Sequence, residues 1–341
     1  VRIRLFRRPS ATRVGAAGRG AAPTSEFGRS GARPDRHGVP REVLRQVRLI
    51  ELRTRGWVES LFGGEYHSVF KGQGMEFSEV REYQPGDDVR TIDWNVTARM
   101  ATPHVKKHVE ERELTVLLAV DLSGSEQFGT RGRLKAELAA EIAAVLALSA
   151  VRNNDRVGLL AFTDRIEHFV PPKKGRRHVL RLIRDLLALR PRGTGTDLAG
   201  ALDYAGRVLP HRAIIFVLSD FQRPGAAPGA DEGIPDGFER MLRILSRRHD
   251  VVAIGIADPA EEALPDAGVL VLGDPETGEE VVIDTGATLR ARFSQHIAAE
   301  RDALMHLFRR LGVDVVEVRT DASYITPLLA FFRRRERKLK R

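Results

Sequence analysis

The chain has 341 residues, of which 42% are hydrophobic; it has no cysteine and a formal net charge of +9. That length and composition support one large domain or two modest ones with a sizeable core, and the missing thiols exclude disulfides, thiolate metal sites and a cysteine nucleophile. The basicity sits at the ends: residues 1–40 carry +7 and residues 333–341 ("RRRERKLKR") carry +6, so the body between them is −4, which argues against a core built around nucleic acid.

Residues 1–40 are rich in Arg, Gly, Ala and Pro and show no periodicity, so they read as a disordered basic tail. From 39 to 62, Val43, Leu44, Val47 and Ile50 recur at helical spacing. Residues 63–113 are polar, glycine-marked and strand-like in pieces. The texture then changes. "LTVLLAVDLS" (114–123) is a continuous apolar run, and "RLKAELAAEIAAVLALSAVR" (133–152) is a helix with Leu134, Leu138, Ile142, Val145 and Leu146 on one face. "DRVGLLAFTD" (155–164) reads as a second buried strand, followed by helices over 176–189 and 197–209. "AIIFVLSD" (213–220) is a third strand, 238–248 a helix and "DVVAIGIADP" (250–259) a fourth strand. Residues 268–286 alternate around "DPETGE" as a hairpin. A helix (288–311), the strand "GVDVVEVRT" (312–320) and a terminal helix from about Ser323 follow.

Apolar strands alternating with helices predict an α/β fold with a doubly wound, mainly parallel sheet. The main domain is placed at 114–320, preceded by an N-terminal region at 41–113 and followed by a C-terminal helix and basic tail at 321–341. No apolar run approaches the ~20 residues that span a bilayer, and no compact apolar signal segment opens the chain; the reading is a cytoplasmic protein without a membrane span.

Oxygen-bearing side chains gather where strands end. Asp121, Ser123 and Ser125 follow the first apolar strand, Asp220 ends another, and "RGTGTDLAGAL" between them offers Thr194 and Thr196 at a helix start. Ligands in doubly wound folds sit at such carboxyl ends. Mg²⁺ takes six oxygens and keeps some as water, which hydroxyls and two carboxylates suit. Two aspartates cancel its charge, so it would accept one more anionic oxygen from another protein. The plainer alternative is that Asp and Ser cap the next helix.

"DLSGS", "GTGTDL" and "VLSD" resemble the metal-ion-dependent adhesion site of von Willebrand factor A domains, over about residues 114–320. The resemblance implies that Asp121, Ser123, Ser125, Thr196 and Asp220 ligate Mg²⁺ or Mn²⁺, directly or through water. Thr196 is preferred to Thr194 because it precedes an Asp at the helix start. One departure stands beside the site: Glu126 follows the second serine, where related domains commonly carry Met. Its carboxylate either caps the metal from within or faces water.

A second signature, "GQGMEFSEVREYQPGDDVRTIDWNVTARM" (72–100), closely resembles the hallmark of a bacterial family, domain of unknown function family 58, and the likeness spans about 43–330. It contains Arg81, Tyr83, Gly86, Asp87, Asp88, Arg90, Asp93, Trp94 and Arg99. Its arginines interleave with its aspartates, so a buried ion-pair network is expected, with Trp94 packing it against the sheet; a partner surface is the functional alternative. The resemblance implies a non-enzymatic, Mg²⁺-dependent interaction module. It would be the partner of a MoxR-type AAA+ ATPase acting on client proteins in chaperone-like assembly or maturation.

Two other readings remain open. A phosphoester hydrolase would add Asp87, Asp88 and Asp93 to the strand-end aspartates in a two-metal site, though no general base or histidine accompanies them. Nucleic-acid binding would use the basic tails. His104 and His108 are spaced i, i+4 without the Glu a metalloprotease helix needs, so they read as a solvated basic segment. Phe331 and Phe332 are expected to pack, with the residues after them in solvent.

Overall fold

The computed structural model describes residues 2–5, 41–57, 80–85, 87, 89, 92–100, 102–106, 113–130, 133–222, 236–273, 276 and 278–339. The elements run β1 (Arg2–Leu5), α1 (Arg41–Trp57), β2 (Val80–Glu82), α2 (Trp94–Met100), β3 (His104–Lys106), β4 (Thr115–Asp121), a 3-10 turn (Gly124–Gln127), α3 (Lys135–Arg152), β5 (Arg156–Phe162) and β6 (Ile166–Lys173). They continue with α4 (Arg176–Ala188), α5 (Leu198–Val208), β7 (Ile214–Ser219), α6 (Asp236–Arg248), β8 (Asp250–Ala257), α7 (Pro259–Glu262), β9 (Val269–Gly273), β10 (Glu280–Asp284), α8 (Ala287–Leu311), β11 (Asp314–Arg319) and α9 (Ile325–Leu339).

The main sheet has the order β11-β8-β7-β4-β5-β6. Every pair in it is parallel except β5 with β6. Its central strands are apolar between their end residues because both faces are covered. Alternate side chains go to opposite layers. Val116, Leu118 and Val120 of β4 join one core with α1, α3, α4 and α9, where Val47, Ile142, Val179 and Leu328 meet them. Leu117 and Ala119 join the other core, with Leu202, Leu242 and Phe308 from α5, α6 and α8. Full burial of such a side chain contributes roughly 1.5–3 kcal/mol, so the sheet is held from both sides. The α/β, doubly wound, mainly parallel fold expected from the sequence is present.

The winding positions the site. From β4 the chain moves outward to β5 and β6, then returns to add β7, β8 and β11 on the other side. The direction reverses between β4 and β7, and a crevice opens beyond the carboxyl ends of strands at such a point. Asp121 closes β4, and Asp220 follows β7 directly.

Two edges differ from expectation. Residues 2–5, expected to lack structure, pair antiparallel with β9, which also pairs with β10 as the anticipated hairpin. "RIRL" alternates polar and apolar residues, the two-residue period of a strand; residues 6–40 lie outside the described residues. β6, "IEHFVPPK", was not among the strands expected from the sequence. It forms the edge of the sheet, where a proline's missing N–H costs no ladder bond.

Candidate metal centre

Asp121 is fully buried. Its Oδ1 accepts the Ser123 N–H at 2.9 Å and its Oδ2 accepts the Ser219 hydroxyl at 2.7 Å. The Ser123 and Ser125 hydroxyl oxygens are 3.1 Å apart. The 3-10 turn then folds Glu126 inward, fully buried, where its Oε1 accepts the Asp220 N–H at 3.0 Å. Asp220 accepts the Gln222 N–H on Oδ1 at 2.9 Å and the Lys135 ammonium on Oδ2 at 2.6 Å. One carboxylate oxygen each from Asp121, Glu126 and Asp220 lies within 4.8 Å of the other two. In an octahedral shell with bonds of about 2.1 Å, neighbouring ligands stand ~3 Å apart and opposite ones ~4.2 Å. The three oxygens are thus close enough to converge on one ion if the side chains draw in.

The electrostatics point the same way. Burial, and then the Asp220 charge, push the Asp121 carboxyl up to about 7, against the opposing hydrogen bonds from Ser219 and Ser123. Burial and Asp220 likewise hold Glu126 well above the usual carboxylate range. Burial alone would depress Lys135, but Asp220, Glu126 and Glu261 together raise it. Its ammonium lies 2.7 Å from Glu261 Oε1, and burial raises the Glu261 carboxyl. Three carboxylates, Asp220, Glu126 and Glu261, thus act on one ammonium, Asp121 stands beside Asp220, and Glu126 Oε2 is buried without a hydrogen-bond partner. Buried charge without compensation is costly, so this donor set fits a hard divalent cation. Such an ion would offset the excess negative charge and tie the turn after β4 to the end of β7.

The threonine loop comes to the same crevice. The Gly124 N–H donates to the Thr194 carbonyl at 2.7 Å, joining it to the serine turn. Glu167 Oε1 fixes the loop's other side, accepting the N–H groups of Arg192 and Gly193 and the Thr163 hydroxyl. Asp197 caps α5 by accepting the Gly200 N–H at 2.8 Å. Thr196 lines, with Asp220, a cavity of about 460 Å³. Its hydroxyl donates to Glu276 Oε1 at 3.1 Å, and that of Thr194 to the Glu276 carbonyl. Asp121, Ser123, Ser125 and Asp220 are therefore gathered as expected, while Thr196 bonds a carboxylate from the turn between β9 and β10.

Lys135, Ser219 and Glu261 were not among the expected site residues. Lys135 had a signal: it begins the stripe Lys135, Leu138, Ala139, Ile142, and a charge in line with buried apolar positions needs a buried partner. Leu134, expected on that face, precedes the helix and is half-buried. Ser219 was legible as the last residue of an all-buried strand. Glu261, on the short α7, carried only the signal of a capping box with Asp258, whose N–H it accepts at 3.2 Å.

The second motif is described only in part. Gly86, Asp88 and Arg90 fall outside the described residues, as does the side chain of Arg81. The Tyr83 N–H donates to the Pro103 carbonyl at 2.7 Å as β2 and β3 pair. Asp87 accepts the Gln84 N–H, and Asp93 accepts the N–H groups of Asn95 and Val96, capping α2. Trp94, expected to pack the motif on the sheet, is 67% exposed, and Arg99 is exposed as well. Both lie on α2, a short helix that buries no residue. His104, expected in solvent, is buried with Nδ1 2.8 Å from the Thr102 carbonyl, because β3 pairs with β2 over it; His108 lies outside the described residues. Phe331 and Phe332 are buried in the core as expected.

Comparison with known proteins gives a match to the family described as "Protein of unknown function DUF58" over residues 79–303. An uncharacterized protein of Mycobacterium tuberculosis is 33% identical over 293 residues, covering 85% of this chain and 89% of the relative. One from Mycobacterium avium is 33% identical over 171 residues, 49% of this chain and 94% of the relative. Among solved structures, the conserved hypothetical protein BatB from Bacteroides thetaiotaomicron aligns at 17% identity and TM-score 0.39, over 67% of this chain and 98% of that one. A von Willebrand factor type A structure from Catenulispora acidiphila aligns at 13% identity and TM-score 0.38, over 69% and 44%.

Proposed function

The chain belongs to the DUF58 family, and from that membership together with the switch-point geometry we propose that it is a divalent-cation-dependent protein-interaction module. The observation that carries this reading is the convergence of Asp121, Glu126 and Asp220 at the carboxyl ends of β4 and β7, with the Ser123 and Ser125 hydroxyls beside Asp121. The cation, Mg²⁺ or Mn²⁺, would organise the face formed by the serine turn, the threonine loop and the end of β7, against which a client docks. The resemblance of the adhesion-type motifs supports a MoxR-type AAA+ ATPase as the partner, the motor supplying ATP hydrolysis and this chain presenting the client in the cytoplasm. No described helix is long and apolar enough to cross a membrane.

The chain itself is read as non-catalytic. The hydrolase alternative would draw on Asp87, Asp88 and Asp93; Asp87 and Asp93 each place a carboxylate oxygen on a backbone N–H of their own turn, and Asp88 lies outside the described residues. The test is capture of a MoxR-type ATPase and its clients by the full chain in Mg²⁺ and in chelator, with Asp121→Ala alongside. Capture that needs both Mg²⁺ and Asp121 is the expected result; equal capture in all conditions contradicts the reading.

A further inference from the structure

We propose that Glu126 is a resident ligand of the cation, filling from within the position that an adhesion site leaves open for a foreign carboxylate. This rests on the cation reading above and says how that site is completed. Glu126 is fully buried one residue after Ser125, and its N–H donates to the Ser123 carbonyl at 3.1 Å, which turns its side chain inward. Oε1 is engaged by the Asp220 N–H. Oε2 is buried and has no hydrogen-bond partner, and the carboxylate stands within 4.8 Å of the ligand oxygens of Asp121 and Asp220. Buried polar atoms are rarely left without a partner, and a cation held with Asp121 and Asp220 supplies one to Oε2.

The charge count agrees. Asp121, Glu126 and Asp220 balance one divalent cation and the Lys135 ammonium, and Glu261, on the far side of that ammonium, adds a further negative charge. The completed site has no net positive charge with which to recruit an acidic side chain. It binds a hard divalent cation, Mg²⁺ or Mn²⁺, as a closed clamp between the turn after β4 and the end of β7. Partners then meet a face that the cation has ordered, without ligating the ion themselves.

The test uses Mn²⁺ alone with the full chain: calorimetric titration and thermal melting of wild type, Glu126→Gln, Glu126→Asp and Asp121→Asn. The glutamine keeps an oxygen for the Asp220 N–H and removes the buried charge. In chelator Glu126→Gln melts above wild type, and its Mn²⁺ affinity falls about tenfold or more, since ligand charge sets affinity at oxygen sites. Glu126→Asp, which keeps the charge with a shorter reach, falls between the two. If Glu126→Gln melts lower in chelator yet binds Mn²⁺ as tightly as wild type, while Asp121→Asn loses binding, Glu126 is structural and this inference alone is overturned. If wild type binds no Mn²⁺, the cation reading fails, and this inference with it.

Discussion

At the scale of single residues, Lys135 decides how the site behaves without a cation. Its ammonium has no solvent exposure and bridges Asp220 and Glu261 at 2.6 and 2.7 Å. Removing one member of a buried ionic cluster leaves the others uncompensated, at a cost of about 3–5 kcal/mol. Lys135→Met is therefore expected to lose about that much stability in chelator, read by urea unfolding, and to recover part of it in Mg²⁺, which can replace the missing charge. A loss of equal size in both conditions would show that no cation compensates there. Lys135 was hard to read from sequence because lysine is ordinarily solvated. Glu126 was visible as a departure from the motif, but only the fold shows that its carboxylate is buried.

At the scale of elements, the crevice is braced from behind by Asp258, the residue that opens α7. Its fully buried carboxylate accepts the N–H and hydroxyl of Thr130, at 3.0 and 2.6 Å, the hydroxyl of Thr320 at 2.6 Å, and the Ala260 N–H. One side chain thus ties the loop before α3 to the ends of β8 and β11. Loss of a cap and of charge-assisted bonds together is expected to cost about 3 kcal/mol in Asp258→Ala, measured by chemical denaturation. A change within the error of the measurement would show that the loop is held by other contacts. The cap on α7 is local, in "DPAE", but the bonds to Thr130 and Thr320 were not legible, since Asp258 and Thr130 are 128 residues apart in sequence. The central strands were legible because they are unbroken apolar runs, whereas β6 was hidden by prolines that only an edge tolerates.

At the scale of the whole molecule, the order of the strands explains why distant motifs meet. β4 and β7 are neighbours at the reversal of winding, so "DLSGS" and "VLSD", nearly a hundred residues apart, share one crevice. The alternation of apolar strands and helices was enough to anticipate that fold, and the spacing of oxygens at strand ends was enough to single out Asp121, Ser123, Ser125 and Asp220, which the fold brings together. The burial of Glu126 beside them was not legible, because it depends on which way one turn folds its glutamate. The second motif was legible as a family signature but not as a structure: its Trp94 stands in solvent. The most direct measurement is a crystal of the full chain with Mn²⁺, recorded at the manganese absorption edge. An anomalous peak enclosed by the carboxylates of Asp121, Glu126 and Asp220 is expected; a fully ordered site without such a peak, with the Lys135 ammonium as its sole cation, would contradict the account.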